Sequence, residues 1–332
     1  MAVTLKEINE LRQKTQAGLM DCKKALTEAE GDMEKAMEIL RKKGQLIAAK
    51  RSDREAAEGC VLAKVSEDGK YGVMVALKCE TDFVAKNADF VALANSIIDA
   101  AMAAKCKTLD EVKALPLGSS TVADEVTNRS GVTGEKMELD GFSTIEGEQV
   151  VAYNHMNQSF LCTLVALNKV EDPEVGKNVA MQIAAMSPVA LDEASVPQSV
   201  KDTEMKNAIE KAKQNQIDKA VEVALKKAGI NPAHVDSDDH IDSNTAKGWI
   251  TPEQAQQARE IKQKVAEEKA ANLPEQMIQN IAKGMVQKFY KESCLLDQAY
   301  IDDSKVTVAQ YLNSVEKGLT VTDFKRFTLR AE

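Results

Sequence analysis

Histidine is scarce in this chain: three residues, at 155, 234 and 240, among 332. They are too few and too scattered to supply the base of a nucleophilic triad. No G-x-x-x-x-G-K-[ST] or G-x-G-x-x-G occurs, so no loop is built to cradle a nucleotide's phosphates. The six cysteines, at 22, 60, 79, 106, 162 and 294, include no pair at the spacing of a zinc knuckle or redox motif. Cys22, Cys79 and Cys162 fall in apolar-periodic segments, where a reduced thiol acts as a small hydrophobe. Their wide spacing suits a reducing cytosol. An enzyme is not expected, and neither is a cofactor or metal.

Aromatic residues make up only 4%, so the core is expected to be aliphatic and helix-rich. No run approaches the roughly 20 apolar residues that span a bilayer. The opening MAVTLKEINELRQKT lacks the basic-then-apolar order of a signal peptide. A cytoplasmic protein without a membrane partner is expected. With a net charge of −9 and one concentrated basic stretch, Arg41 to Arg54, direct nucleic-acid binding is not expected.

What is present organises the chain as α+β. Thr4 and Glu7 form a T-x-x-E capping box ahead of Leu5, Ile8 and Leu11 at helical spacing. A break at 15–18 leads to a second helix carrying Cys22, Leu26 and Ala29. Gly31-Asp32 then turns and caps a third helix, with Arg41, Lys42 and Lys43 near its end and Gly44 as its expected stop. Residues 45–58 read as a helical or flexible linker. CVLAKV (60–65) and YGVMVALKC (71–79) read as a β-hairpin with Gly69 in the turn. Helices are expected over 89–104 and 119–128. Strands near 137–145, 148–153 and 160–167 then lead to a helix at 173–186, so hairpin plus helix recurs.

Residues 199–290 read as an inserted antiparallel hairpin of two long helices, broken near Pro274, with the acidic stretch 236–242 as its solvated tip. That stretch lacks the central Gly and the closing Glu of a calcium loop. A helix at 308–315 and a strand with Phe324, Phe327 and Leu329 return to the core. The expected divisions are 1–55, 56–145, 146–198 with 291–332, and 199–290.

Thr81-Asp82-Phe83-Val84-Ala85-Lys86-Asn87 follows a strong strand and admits two readings. In one, Asp82 caps a helix and Phe83 fills the core. In the other, a rigid loop presents an aromatic beside a carboxylate, and aromatics carry much of the energy of interfaces.

This segment resembles the TDFVA(K/R)N signature of bacterial elongation factor Ts. Leu11-Arg12-x-x-Thr15-x-Ala17-Gly18-Leu19-Met20-Asp21-Cys22-Lys23-Lys24-Ala25-Leu26 resembles the opening module of the same family. Similarity continues through Lys42-Lys43-Gly44, Ala48-Ala49-Lys50-Arg51, Glu58-Gly59, residues 283–290 (KGMVQKFY) and 305–312 (KVTVAQYL), and covers most of the chain. Residues 212–270 exceed the family's usual coiled coil. The Gly-rich stretch common after the equivalent of Tyr153 reads Asn154-His155-Met156-Asn157-Gln158 here. The chain stops soon after its last core strand, without the extra helix of some members.

The resemblance implies guanine-nucleotide exchange on elongation factor Tu. The N-terminal helices, similar to a ubiquitin-associated domain, would hold the GTPase through Arg12, Leu19 and Met20. Thr81, Asp82, Phe83 and Val84 would enter near its magnesium site, with Phe83 as a wedge, and His155 would contact a later domain. A protein-interaction scaffold, in which Phe83 is core, is the competing reading. The helical hairpin has three candidate uses: pairing two copies, packing on its own core, or meeting the partner.

Overall fold

The computed structural model describes residues 3–15, 17–155 and 159–330. It divides into two units, Met1–Leu191 with Ala299–Glu332, and Asp192–Gln298. Helices and small antiparallel sheets make it an α+β fold.

In the first unit the chain begins with α1 (Leu5–Thr15), α2 (Leu19–Glu28) and α3 (Met33–Lys50). The expected caps are present. The Thr4 N–H donates to Glu7 Oε2 at 2.7 Å, the Glu7 N–H to Thr4 Oγ1 at 3.3 Å, and the Lys35 N–H to Asp32 Oδ1 at 3.0 Å. Ile8, Leu11, Cys22, Ala25, Leu26 and Ala36 close a small core among the three helices. Gly44, however, does not stop α3. The helix runs through it to Lys50 and takes Arg51 as its C-cap. A glycine after a basic turn is a sound stop signal, but this one keeps a right-handed backbone and is buried against another helix. The stretch after Gly44 is therefore helical as far as Lys50, and only the remainder is a linker.

Next come β1 (Glu58–Val65) and β2 (Tyr71–Cys79), paired as a hairpin with Gly69 at φ +71° in the turn. They are followed by the one-turn α4 (Asp82–Ala85), α5 (Ala88–Ala104), α6 (Leu109–Ala114), the ribbon β3 (Pro116–Leu117) and β4 (Ser120–Thr121), and α7 (Val122–Thr133). The helix expected from 119 thus starts at Val122, because Ser120 and Thr121 pair in the ribbon and Thr121 serves as N-cap. The chain continues through β5 (Met137–Glu146), β6 (Gln149–Asn154), β7 (Leu161–Leu167) and α8 (Pro173–Met186). The second unit holds α9 (Gln198–Lys227), α10 (Asp238–Ala246), α11 (Pro252–Ala271) and α12 (Glu275–Ser293). The first unit resumes with the ribbon β8 (Ala299–Tyr300) and β9 (Asp303–Thr307), then α13 (Val308–Val315) and β10 (Val321–Thr328).

Two three-stranded antiparallel sheets, ordered β1-β2-β5 and β10-β7-β6, carry the first unit. Side chains alternate across a strand, and β2 uses both of its faces. Val73, Val75 and Leu77 pack with Phe90, Ala94, Ile97 and Ile98 of α5, while Met74 and Ala76 meet the second sheet at Cys162, Leu164 and Ala166. On β7's other face, Thr163 Oγ1 donates to the Ala180 carbonyl of α8 at 3.0 Å.

In the second unit, α9 lies against α11 and then α12. The acidic stretch is not a bare tip. Residues 238–246 form α10, and Ile241 is fully buried with Leu225, Ile230, Val235, Ile250 and Ala258. Charge dominates the sequence there, and a single isoleucine anchors it. Ile241→Ala should therefore cost about 2–5 kcal/mol locally. By hydrogen exchange, amides of 230–250 should lose protection while those of β2 and β7 keep theirs. Equal loss in both places would show that the tip core is not a local unit.

Candidate functional site

The site is built at the exit of β2, where three consecutive residues are each tied down. The Cys79 thiol donates to the Thr81 carbonyl at 3.2 Å. The Glu80 carboxylate accepts Arg51 Nη1 at 2.9 and 3.0 Å and the Lys136 N–H at 2.6 Å. Thr81 gives its N–H to Glu135 Oε2 at 3.1 Å and its hydroxyl to Glu135 Oε1 at 2.7 Å. Thr81 also caps α4 by accepting the Val84 N–H at 3.4 Å. One turn later, Asn87 Oδ1 accepts the Asp89 N–H at 2.9 Å and starts α5.

Two back-to-back caps thus confine a single helical turn, and its residues divide by direction. Val84 and Ala85 pack partly buried against the core that contains Phe90. Asp82 points outward and accepts Lys86 Nζ at 2.7 Å. That hydrogen bond, with the ammonium's charge, holds the Asp82 carboxyl below its usual value. Phe83 stands 84% exposed, the highest exposure of any large hydrophobic side chain described. The core-filling reading of Phe83 is excluded, and the cap is Thr81, not Asp82.

The residues of the N-terminal module lie on its outside. Arg12 is exposed on α1, while Leu19 and Met20, 41% and 60% exposed, open α2 as Cys22, Ala25 and Leu26 turn inward. Arg12 lines a shallow depression with Asn9, Gln13 and Asp89, so this edge borders the start of α5, just after the Phe83 turn. His155 follows β6 on the other sheet. Its Nδ1 lies 3.1 Å from the Tyr153 hydroxyl, and its ring meets Phe160 edge-on at 5.8 Å. Met156, Asn157 and Gln158, where the sequence departs from the family pattern, lie outside the described residues.

Residue order alone marks no role for Glu80, Arg51 or Glu135. Glu135 is 54 positions from the threonine it binds, so no local pattern marks it. Among the described residues no group of three or more His, Cys, Asp or Glu could hold a metal. All six thiols are buried, and burial pushes Cys79 and Cys162 up to about 12, far from the thiolate a nucleophile needs. No helix among the described residues is long and apolar enough to cross a membrane.

Two outcomes follow from the anchors. Glu135→Ala should cost about 1–3 kcal/mol by leaving the Thr81 donors without their acceptor. Amide exchange at Thr81 and Val84 should speed up, with partial recovery in Glu135→Gln; unchanged exchange would deny Glu135 its holding role. The Lys136 N–H, with Arg51 beside it, lowers the Glu80 carboxyl from 4.5. A lowered folded-state value means the stabilisation is complete above 4.5 and disappears as pH falls through the depressed value. Urea unfolding of Glu80→Gln and wild type should differ at neutral pH and converge well below pH 4.5.

Comparison with known proteins bears on the whole chain. A family model described as Elongation factor TS matches residues 80–331. Elongation factor Ts of Phocaeicola vulgatus and that of Bacteroides thetaiotaomicron are each 63% identical over 332 residues, covering all of both chains. That of Porphyromonas gingivalis is 43% identical over 333 residues, again end to end. The TDFV turn and the Leu11–Leu26 motif therefore sit in a chain aligned with these relatives throughout, and the protein belongs to the elongation factor Ts family of guanine-nucleotide-exchange factors.

Proposed function

We propose that this protein binds elongation factor Tu in its GDP state and promotes GDP release by binding alone, in the cytoplasm and without direct contact to nucleic acid. The observation that carries the reading is the placement of Phe83, 84% exposed on a turn whose preceding residues are held by Cys79, Glu80 and Glu135. A turn whose backbone is already fixed loses little freedom when it carries its aromatic into a partner, which is the condition for an efficient wedge.

The wedge acts by negative coupling. Mg²⁺ offsets the phosphate charge of a bound nucleotide and helps to hold it. When Phe83 and Asp82 enter beside that ion, with Thr81 and Val84 fixing the turn, they favour a GTPase conformation that holds Mg²⁺ and GDP poorly. By linkage, GDP then weakens the factor's binding as much as the factor weakens GDP binding. Arg12, Leu19 and Met20 on the module similar to a ubiquitin-associated domain, residues 1–55, hold the GTPase domain. Residues 56–145 carry the turn. Residues 146–198 with 291–332, through His155, reach a later domain of the partner, and 199–290 form the inserted coiled-coil hairpin.

The test is release of labelled GDP from a bacterial elongation factor Tu. Wild type should accelerate it catalytically. Phe83→Ala should lose at least about 30-fold, the equivalent of roughly 2 kcal/mol at an interface hot spot, with its melting temperature unchanged. Wild type that binds the GTPase yet leaves GDP release alone would remove the exchange reading in favour of a scaffold.

A further inference from the structure

Helices α3 and α7 cross at a point where neither carries a side chain. A methyl group placed on Gly131 would lie 2.4 Å from the Cα of Gly44, so the two backbones are in direct contact. The site is asymmetric. A methyl placed on Gly44 would meet the Thr127 carbonyl oxygen at 3.5 Å and the Gly131 Cα at 3.6 Å, which is ordinary contact.

Both helices are shared between jobs. The first half of α3 supplies Ala36, Met33, Met37 and Leu40 to the small core of the N-terminal module. Beyond Gly44 the same helix ends on Arg51, which binds Glu80. Beyond Gly131, α7 ends on Gly134, and the next residue, Glu135, binds Thr81. The crossing therefore delivers two anchors to the adjacent residues Glu80 and Thr81, just ahead of Asp82 and Phe83. It also fastens the helices bearing Arg12, Leu19 and Met20 to the same frame.

We propose that the Gly44–Gly131 crossing is a positioning element that makes the N-terminal module and the Phe83 turn one rigid, two-point binding surface, with Gly131 setting its spacing. This rests on the exchange reading above. Two contacts on one rigid body reinforce each other through a high effective concentration, and a separated module loses that gain without losing either contact. Gly131→Ala should thus raise the factor concentration giving half-maximal exchange by about tenfold or more, with the rate at saturation within about twofold of wild type. Gly44→Ala should behave as wild type.

The geometry can be read without the GTPase. All six native cysteines are buried, so spin labels can be directed to Lys23→Cys on α2 and Ser96→Cys on α5, both exposed positions. The distance distribution should be narrow in wild type and in Gly44→Ala, and broad or shifted in Gly131→Ala. Gly44→Leu, which wedges the crossing from the other helix, carries the same expectation should Gly131→Ala fail to fold. A broad distribution in the wild type, or an unchanged half-saturation with either wedge, overturns the proposal. So does a loss confined to the saturating rate, which would reduce the crossing to a support for the turn. If wild type fails to accelerate GDP release, the exchange reading falls, while the distance measurement still reports on the crossing.

Discussion

Strand β2 is buried on both faces, and the first unit's architecture depends on that. A strand in this position must be apolar almost throughout, and YGVMVALKC is. One set of side chains demands helix α5, and the other demands a second sheet. Because β1 and β5 occupy both of its edges, its register is held from either side. The residue after such a strand leaves from a point that cannot wander. The Phe83 turn inherits this fixity, and the carboxylates of Glu80 and Glu135 extend it by two residues.

Those carboxylates also show charge put to a structural use. Each accepts backbone N–H donors that would otherwise be left at the junction between strand and helix. Their charge serves to shape backbone, and the outward face of the turn keeps only Asp82, Phe83 and Lys86. The division between inward and outward residues within one helical turn separates what holds the turn from what it shows.

Much of this was legible from residue order alone. Helices α5, α8 and α13 follow from the segments read as helical at 89–104, 173–186 and 308–315, and the β1–β2 hairpin follows from two apolar runs about Gly69. The motif at 81–87 was visible, but the direction of Phe83 was not, because Asp82 and Thr81 are both good caps and only tertiary contacts with Glu135 select Thr81. Gly44 reads as a helix stop for a related reason. A glycine that ends a helix and one that admits a neighbouring helix look alike until the neighbour is seen. At 236–242 the density of aspartates hid the one residue, Ile241, that organises the segment.

An aromatic ring displayed this openly has a consequence for the unbound protein's behaviour in a crowded solution. Exposed apolar surface becomes hazardous when it is contiguous, and a lone ring between opposite charges is not. The Asp82–Lys86 pair brackets Phe83 with two hydrated groups, in the manner of gatekeeper residues that flank sticky segments. The turn can therefore remain colloidally quiet at high abundance. In the proposed role it adheres only to a surface with a cleft deep enough to take the ring and leave both charges in water.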